Sequence, residues 1–173
     1  QYGRRLKLRY RSDLNSDLTF IEVKRNVNGR TVKERRRSRP PGARLWPEDA
    51  AFFYRRTGWA TASLRPSLAV DYDRILLVRH DFTERVTIDL NLSFRTGAVE
   101  AETPGLAICE FKQPKFDRRS PAIEAMNRRT QMFSKYCMGL ASCDRSLRRN
   151  RFKKVFRDLD NLDATPRTRE VAA

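Results

Sequence analysis

Lysine and arginine recur in this chain at every second residue, on stretches whose alternate positions are apolar. In RRLKLRYR, Arg5, Lys7, Arg9 and Arg11 share one side while Leu6, Leu8 and Tyr10 share the other. FIEVKRNVNGRTVKERRR adds Lys24, Lys33, Arg35 and Arg37 on the side that carries Glu22. Further along, RVTIDLNLSF contributes Arg85 with Asp89, and LAICEFKQ contributes Lys112 with Glu110. The pooled polar sides hold ten cations against three carboxylates. Arginine forks grip phosphate oxygens in pairs and lysines add point charges, so this set suits a ligand with several phosphates. Glu22 and Glu110 each precede a lysine by two residues, which turns acid and cation to the same side. These carboxylates either neutralise neighbouring arginines or hold Mg2+ or Mn2+ against bound phosphate.

Strands are the elements that would present such residues. Phe20–Arg37 reads as a hairpin, with Asn28-Gly29 supplying a type I′ turn, and the implied register sets Lys24 opposite Lys33 and Glu22 opposite Arg35. Like charges directly opposed are destabilising, so the lysine pair makes sense if an anion lies across it. Residues 44–58 read as a helix with Pro47 near its first position and Gly58 as its stop. Strands follow from Ser67, Arg85 and Leu106. In the second of these Asp89 falls on the polar side, and Leu92 and Phe94 fall on the apolar side. A second helix after Ser120-Pro121 carries a stripe of Ile123, Met126, Thr130, Phe133 and Cys137, and a third, basic one covers Arg145 to Arg157. The pattern implies an α+β fold: an antiparallel β tunnel barrel with a charged lumen and helices packed outside.

The whole chain supports a polyanion as partner. It has 173 residues, 39% of them hydrophobic, and a net charge of +16. That is enough apolar content for one core, with a field that attracts phosphate-rich ligands. Cys109, Cys137 and Cys143 are odd in number and form no CxxC, which argues against a disulfide framework or a zinc site and for a reducing cytoplasm. No apolar run approaches the ~18 residues of a membrane span.

Seven short motifs now stand in order: LKLRYR, KERRR, the two ExK pairs, YDR at Tyr72–Arg74, RVTID at Arg85–Asp89 and FSKYCMG at Phe133–Gly139. Together they resemble the VTC-type polyphosphate polymerase domain of the triphosphate tunnel metalloenzyme (CYTH-like) superfamily. The resemblance implies that Lys7, Arg9, Lys24, Lys33, Arg35, Arg74, Arg85, Lys112 and Lys135 contact phosphate and that Glu110 binds the metal. It also implies ATP or triphosphate and polyphosphate as ligands, with transfer of the γ-phosphate to a growing chain. Since the family's N-terminal segment precedes the motifs seen here, the resemblance implies an N-terminally incomplete barrel domain over 1–143. A basic helix over 144–160 and a disordered tail over 161–173 would follow. The alternative readings are a triphosphatase or cyclase of the same superfamily, a polyphosphate sensor without turnover, and a nucleic-acid-binding module built on the basic helix.

Overall fold

The structure, a computed structural model, describes residues 6–27, 30–127, 131, 133–161 and 165–170. Two compact units divide the chain, Gln1–Pro66 and Ser67–Ala173, so the stretch read as one domain over 1–143 spans both. Among the described residues the architecture is α+β, with a three-stranded and a five-stranded antiparallel sheet and no closed barrel.

In the first unit, β1 (Leu6–Asp13), β2 (Leu18–Val27) and β3 (Arg30–Ser38) pair in that order. The expected register holds, with Lys24 opposite Lys33 and Glu22 opposite Arg35. The Asn28-Gly29 turn and Arg5 lie outside the described residues. Strict alternation sends Leu6, Leu8 and Tyr10 to the face of Ile21 and Val23, where Phe52 and Phe53 of α1 (Pro47–Thr57) close a small core. Pro47 starts that helix, Glu48 and Asp49 complement the positive end of its dipole, and Gly58 ends it at φ 72° with its N–H donating to the Tyr54 carbonyl. Asp49 is also a buried link to the sheet. Its Oδ2 accepts from the Tyr10 hydroxyl at 2.8 Å and from Ser38 Oγ. Burial, and then the Asp49 carboxylate, push the Tyr10 pKa well up.

The second unit is organised around β5 (Arg85–Thr96). It pairs with β4 (Ala69–Val78) along one edge, while along the other β6 (Val99–Thr103) takes its later half and β7 (Ile108–Lys112) its earlier half. β8 (Arg167–Glu170) adds to β6, so the tail expected to be disordered forms an edge strand over these four residues. Arg169, in ion pairs with Glu100 and Glu102, fastens it. The helix expected from Ser120 through Cys137 is two helices. α2 (Pro121–Met126) stops at Asn127, φ 43°, and α3 (Lys135–Cys143) starts afresh with Ser134 accepting from the Cys137 N–H. A 3-10 turn, Asn150–Phe152, leads into α4 (Lys153–Asn161). Val155 and Leu159 of α4 join Met138 of α3 and Leu92 and Phe94 of β5 in the core.

A bulge in β5 decides which residues face those helices. Asp73 pairs with Leu90 but Asp71 with Ser93, so Tyr72 opposes both Asn91 and Leu92, and Asn91 takes the left-handed conformation at φ 51°. One extra residue reverses the alternation. Asp89 before the bulge and Leu92 and Phe94 after it therefore share a face, against the sequence expectation that they oppose each other. α3 touches both sets: Lys135 reaches Asp89, and Gly139 packs so tightly on Phe94 that an added Cβ would lie 2.3 Å from the ring.

Candidate phosphate-binding site

Cross-strand pairing in the first unit stacks cations in rows. Lys7, Lys24 and Lys33 stand abreast, Arg9 and Arg35 flank Glu22, and Arg11 and Arg37 flank Phe20. Among the described residues, this face carries seven cations, with Glu22 in their midst and Asp13 at the far end of β1. Glu22 is fully enclosed. Its Oε2 accepts from Arg9 Nε at 2.8 Å and from the same guanidinium's Nη2 at 2.6 Å, and its Oε1 lies 2.6 Å from the Lys33 ammonium. Burial pushes the Glu22 carboxyl up, but the hydrogen bonds and charges of Lys33 and Arg9 outweigh it and hold the group below the ordinary carboxylate range. Both cations of that trio are therefore committed. Lys24 is not: it forms no hydrogen bond or ion pair with a described residue. Burial, then the charges of Arg9, Lys33 and Lys7, lower its pKa, with Glu22 pulling the other way.

A second cluster forms on the helix-facing side of the second unit. Arg74 of β4 grips Asp89 of β5 with two hydrogen bonds, 2.6 Å to Oδ1 and 2.8 Å to Oδ2, while Lys135 pairs with Oδ2. Lys135 opens α3 rather than lying within a longer helix, so the start of α3 sets its position. Both cations also lie over the Tyr72 ring, Arg74 at 5.0 Å and Lys135 at 4.8 Å. The Asp89 carboxyl is pushed up by burial, more than offset by Arg74 and Lys135, and ends below its ordinary value. Asp89 in turn raises Arg74. Along the same strands Thr87 pairs with Glu110 and Arg85 with Lys112. Glu110 is about half exposed, with the Lys112 ammonium 3.3 Å away.

The nine cations expected to contact phosphate thus fall into two groups. Lys7, Arg9, Lys24, Lys33 and Arg35 share one face of the first sheet, and Arg74, Arg85, Lys112 and Lys135 gather around β5 in the second unit. Asp89 and Tyr72 are the residues that sequence reasoning undervalued. The i, i+2 spacing of Tyr72 and Arg74 was the available signal, since it puts both on one side of a strand. Nothing comparable ties either residue to Lys135.

The two carboxylates expected to hold a metal differ. No group of three His, Cys, Asp or Glu side chains suited to a metal ion occurs among the described residues. A magnesium-like ion needs only one or two protein carboxylates when phosphate supplies the other oxygens. Glu110 fits that role, being accessible and set beside Thr87, whose buried Oγ1 has no hydrogen-bond partner among the described residues. Glu22 does not fit it, because it is enclosed as the counter-ion of Arg9 and Lys33.

A family model described as "VTC domain" matches residues 56–144, just over half of the chain. The match runs from the end of α1 to the residue after α3 and contains Tyr72, Arg74, Asp89, Glu110 and Lys135. No curated protein and no solved structure matches the chain. The chain belongs to the VTC domain family, which is associated with enzymatic polyphosphate synthesis and is generally dependent on a divalent metal.

Proposed function

We propose that this protein is a polyphosphate polymerase that uses ATP, with its antiparallel strands contributing to a tunnel of the family's type. The observation that carries the reading is the row of Lys7, Lys24 and Lys33 beside the Arg9–Glu22–Arg35 row. Such a surface is favourable when a string of phosphates lies on it and costly when bare. A terminal oxygen of the growing chain attacks the γ-phosphorus of ATP, the bond from that phosphorus to the β,γ-bridging oxygen breaks, and ADP leaves. Catalysis of this transfer consists mainly of holding donor and acceptor in line and balancing charge. The cations of each cluster do so by contacting phosphate oxygens. Lys135, at the start of α3, is poised to exchange its Asp89 partner for a phosphate oxygen. A divalent ion, Mn2+ or Mg2+, would be held by Glu110 and would supply further charge neutralisation at the phosphates.

Incubation of the full chain with ATP and Mn2+ tests this proposal. The expected products are ADP and a ladder of polyphosphate, with Glu110→Gln abolishing the dependence of turnover on the metal. Orthophosphate in place of the ladder would make the protein a triphosphatase. Tight binding of tripolyphosphate with no consumption of ATP would make it a binding module.

A further inference from the structure

A group of five exposed cations on and just before α4, Arg145, Arg148, Lys153, Lys154 and Arg157, belongs to neither cluster. α4 turns Val155 and Leu159 into the core, and at about 100° per residue Lys153, Lys154 and Arg157 fall on the arc opposite them. All three are exposed, as are Arg145 and Arg148 in the connection before the helix. None of the five makes an ion pair or hydrogen bond with a described residue. The nearby carboxylates are engaged elsewhere: Asp144 by Ser146, Asp158 by Gln131 and Asp160 by Thr165. Arg149 shows the contrast. It donates to the Ala141 carbonyl at 2.6 Å and stacks on Phe156 at 4.9 Å, and so is built into the fold.

The geometry points to this band as a second, outer track for the polyphosphate chain, an exposed docking surface for chains long enough to extend beyond the cluster around Asp89 in the same unit. The choice of polyphosphate rests on the proposed function, and the surface itself supports it. Single-stranded nucleic acid is usually held by cations together with aromatic platforms. Here Phe152 and Phe156 pack toward the core, leaving no exposed aromatic side chain among the five cations. An amphipathic membrane-binding helix would need an apolar face turned to the lipid, whereas that face of α4 is buried in the core and Leu147 is the one exposed large apolar residue nearby among the described residues. Unpaired charges without apolar or aromatic companions suit a bare string of phosphates.

The test compares tripolyphosphate, a long polyphosphate chain, an RNA oligonucleotide and anionic vesicles as ligands of the protein, across a salt series. The band variant is Arg148→Gln, Lys153→Gln, Lys154→Gln and Arg157→Gln; the charge control is Arg44→Gln, Arg55→Gln, Lys115→Gln and Arg118→Gln, which are exposed elsewhere. The expected result is a loss of about tenfold or more in long-chain affinity for the band variant, with a salt slope shallower by roughly three to four, and no change for tripolyphosphate. An equal loss in the charge control would reduce the effect to net charge and overturn the proposal. So would an unchanged long-chain affinity, a parallel loss for tripolyphosphate, or a loss confined to RNA or to anionic vesicles. Long-chain binding through the band without any tripolyphosphate binding would leave this proposal standing and sink the polymerase reading. Binding of neither ligand by the wild type would sink both.

Discussion

In the first unit α1 covers the face opposite the cations, whereas in the second α3 lies on the same face as Arg74, Asp89 and Lys135. Each unit centres its charges on one enclosed carboxylate, Glu22 or Asp89, shared by two cations. The surroundings differ. Arg9 and Lys33 remain 38% exposed, while Arg74 and Lys135 are 26% and 22% exposed and also lie over Tyr72. Separating charge and core onto two faces leaves the cations near water and able to receive a ligand. Merging them on one face ties the cations to the packing of a helix, so the second cluster contributes more to the fold.

Removing each carboxylate in turn separates the two arrangements most clearly. Asp89→Asn strands two poorly solvated cations and is expected to cost about 3–5 kcal/mol. Glu22→Gln leaves cations that regain water more easily and should cost about 1–3 kcal/mol. Denaturant midpoints on the two variants check this order, and a larger cost at Glu22 would refute it. Both carboxyls titrate below their ordinary values, 4.5 for Glu and 3.8 for Asp. Their contribution is therefore complete above those values and is lost as pH falls through the lower, folded-state ones. Stability measured from neutral pH into acid should stay level and then fall in the wild type, with a shallower fall in each variant.

The bulge is the structural origin of the difference, and Asn91 is where to perturb it. A β-branched residue at φ 51° is strained, so Asn91→Val should destabilise the protein by about 1–2 kcal/mol, while Asn91→Gly, which accepts the conformation, should cost less. Equal thermal midpoints for the two variants would mean that the left-handed turn is not what holds the bulge.

What the sequence revealed follows the same division. The hairpin register was legible because period-two alternation and one turn fix it, and α1 because Pro47 and Gly58 mark its ends. The bulge was not, since RVTIDLNLSF alternates without interruption and the extra residue exists only in relation to β4. Nor was the break at Asn127, because the apolar stripe continues past it. β8 was missed because RTRE has no apolar residue to mark a strand, and its pairing rests on the edge of β6 and on Arg169. Asp89 could be seen to be polar. Its partners arrive from 15 and 46 residues away, which no local pattern records.

Lys24 gives the smallest effect on stability and the most discriminating sign. Replacing it by methionine removes a cation that sits between Lys7 and Lys33 with no carboxylate of its own, so the protein without ligand should gain about 0.2–1 kcal/mol. The same change removes a charge-assisted contact to phosphate, and tripolyphosphate affinity should fall by about tenfold or more. Because the folded state lowers the Lys24 pKa from 10.5, the unfolded chain holds this proton more strongly in the alkaline window below that value. Wild-type stability should then rise with pH through the window, and Lys24→Met should abolish the rise. Opposite signs for folding and binding would mark Lys24 as a residue kept for its ligand. A loss in both would mean that its alkyl stem, not its charge, is what the sheet uses.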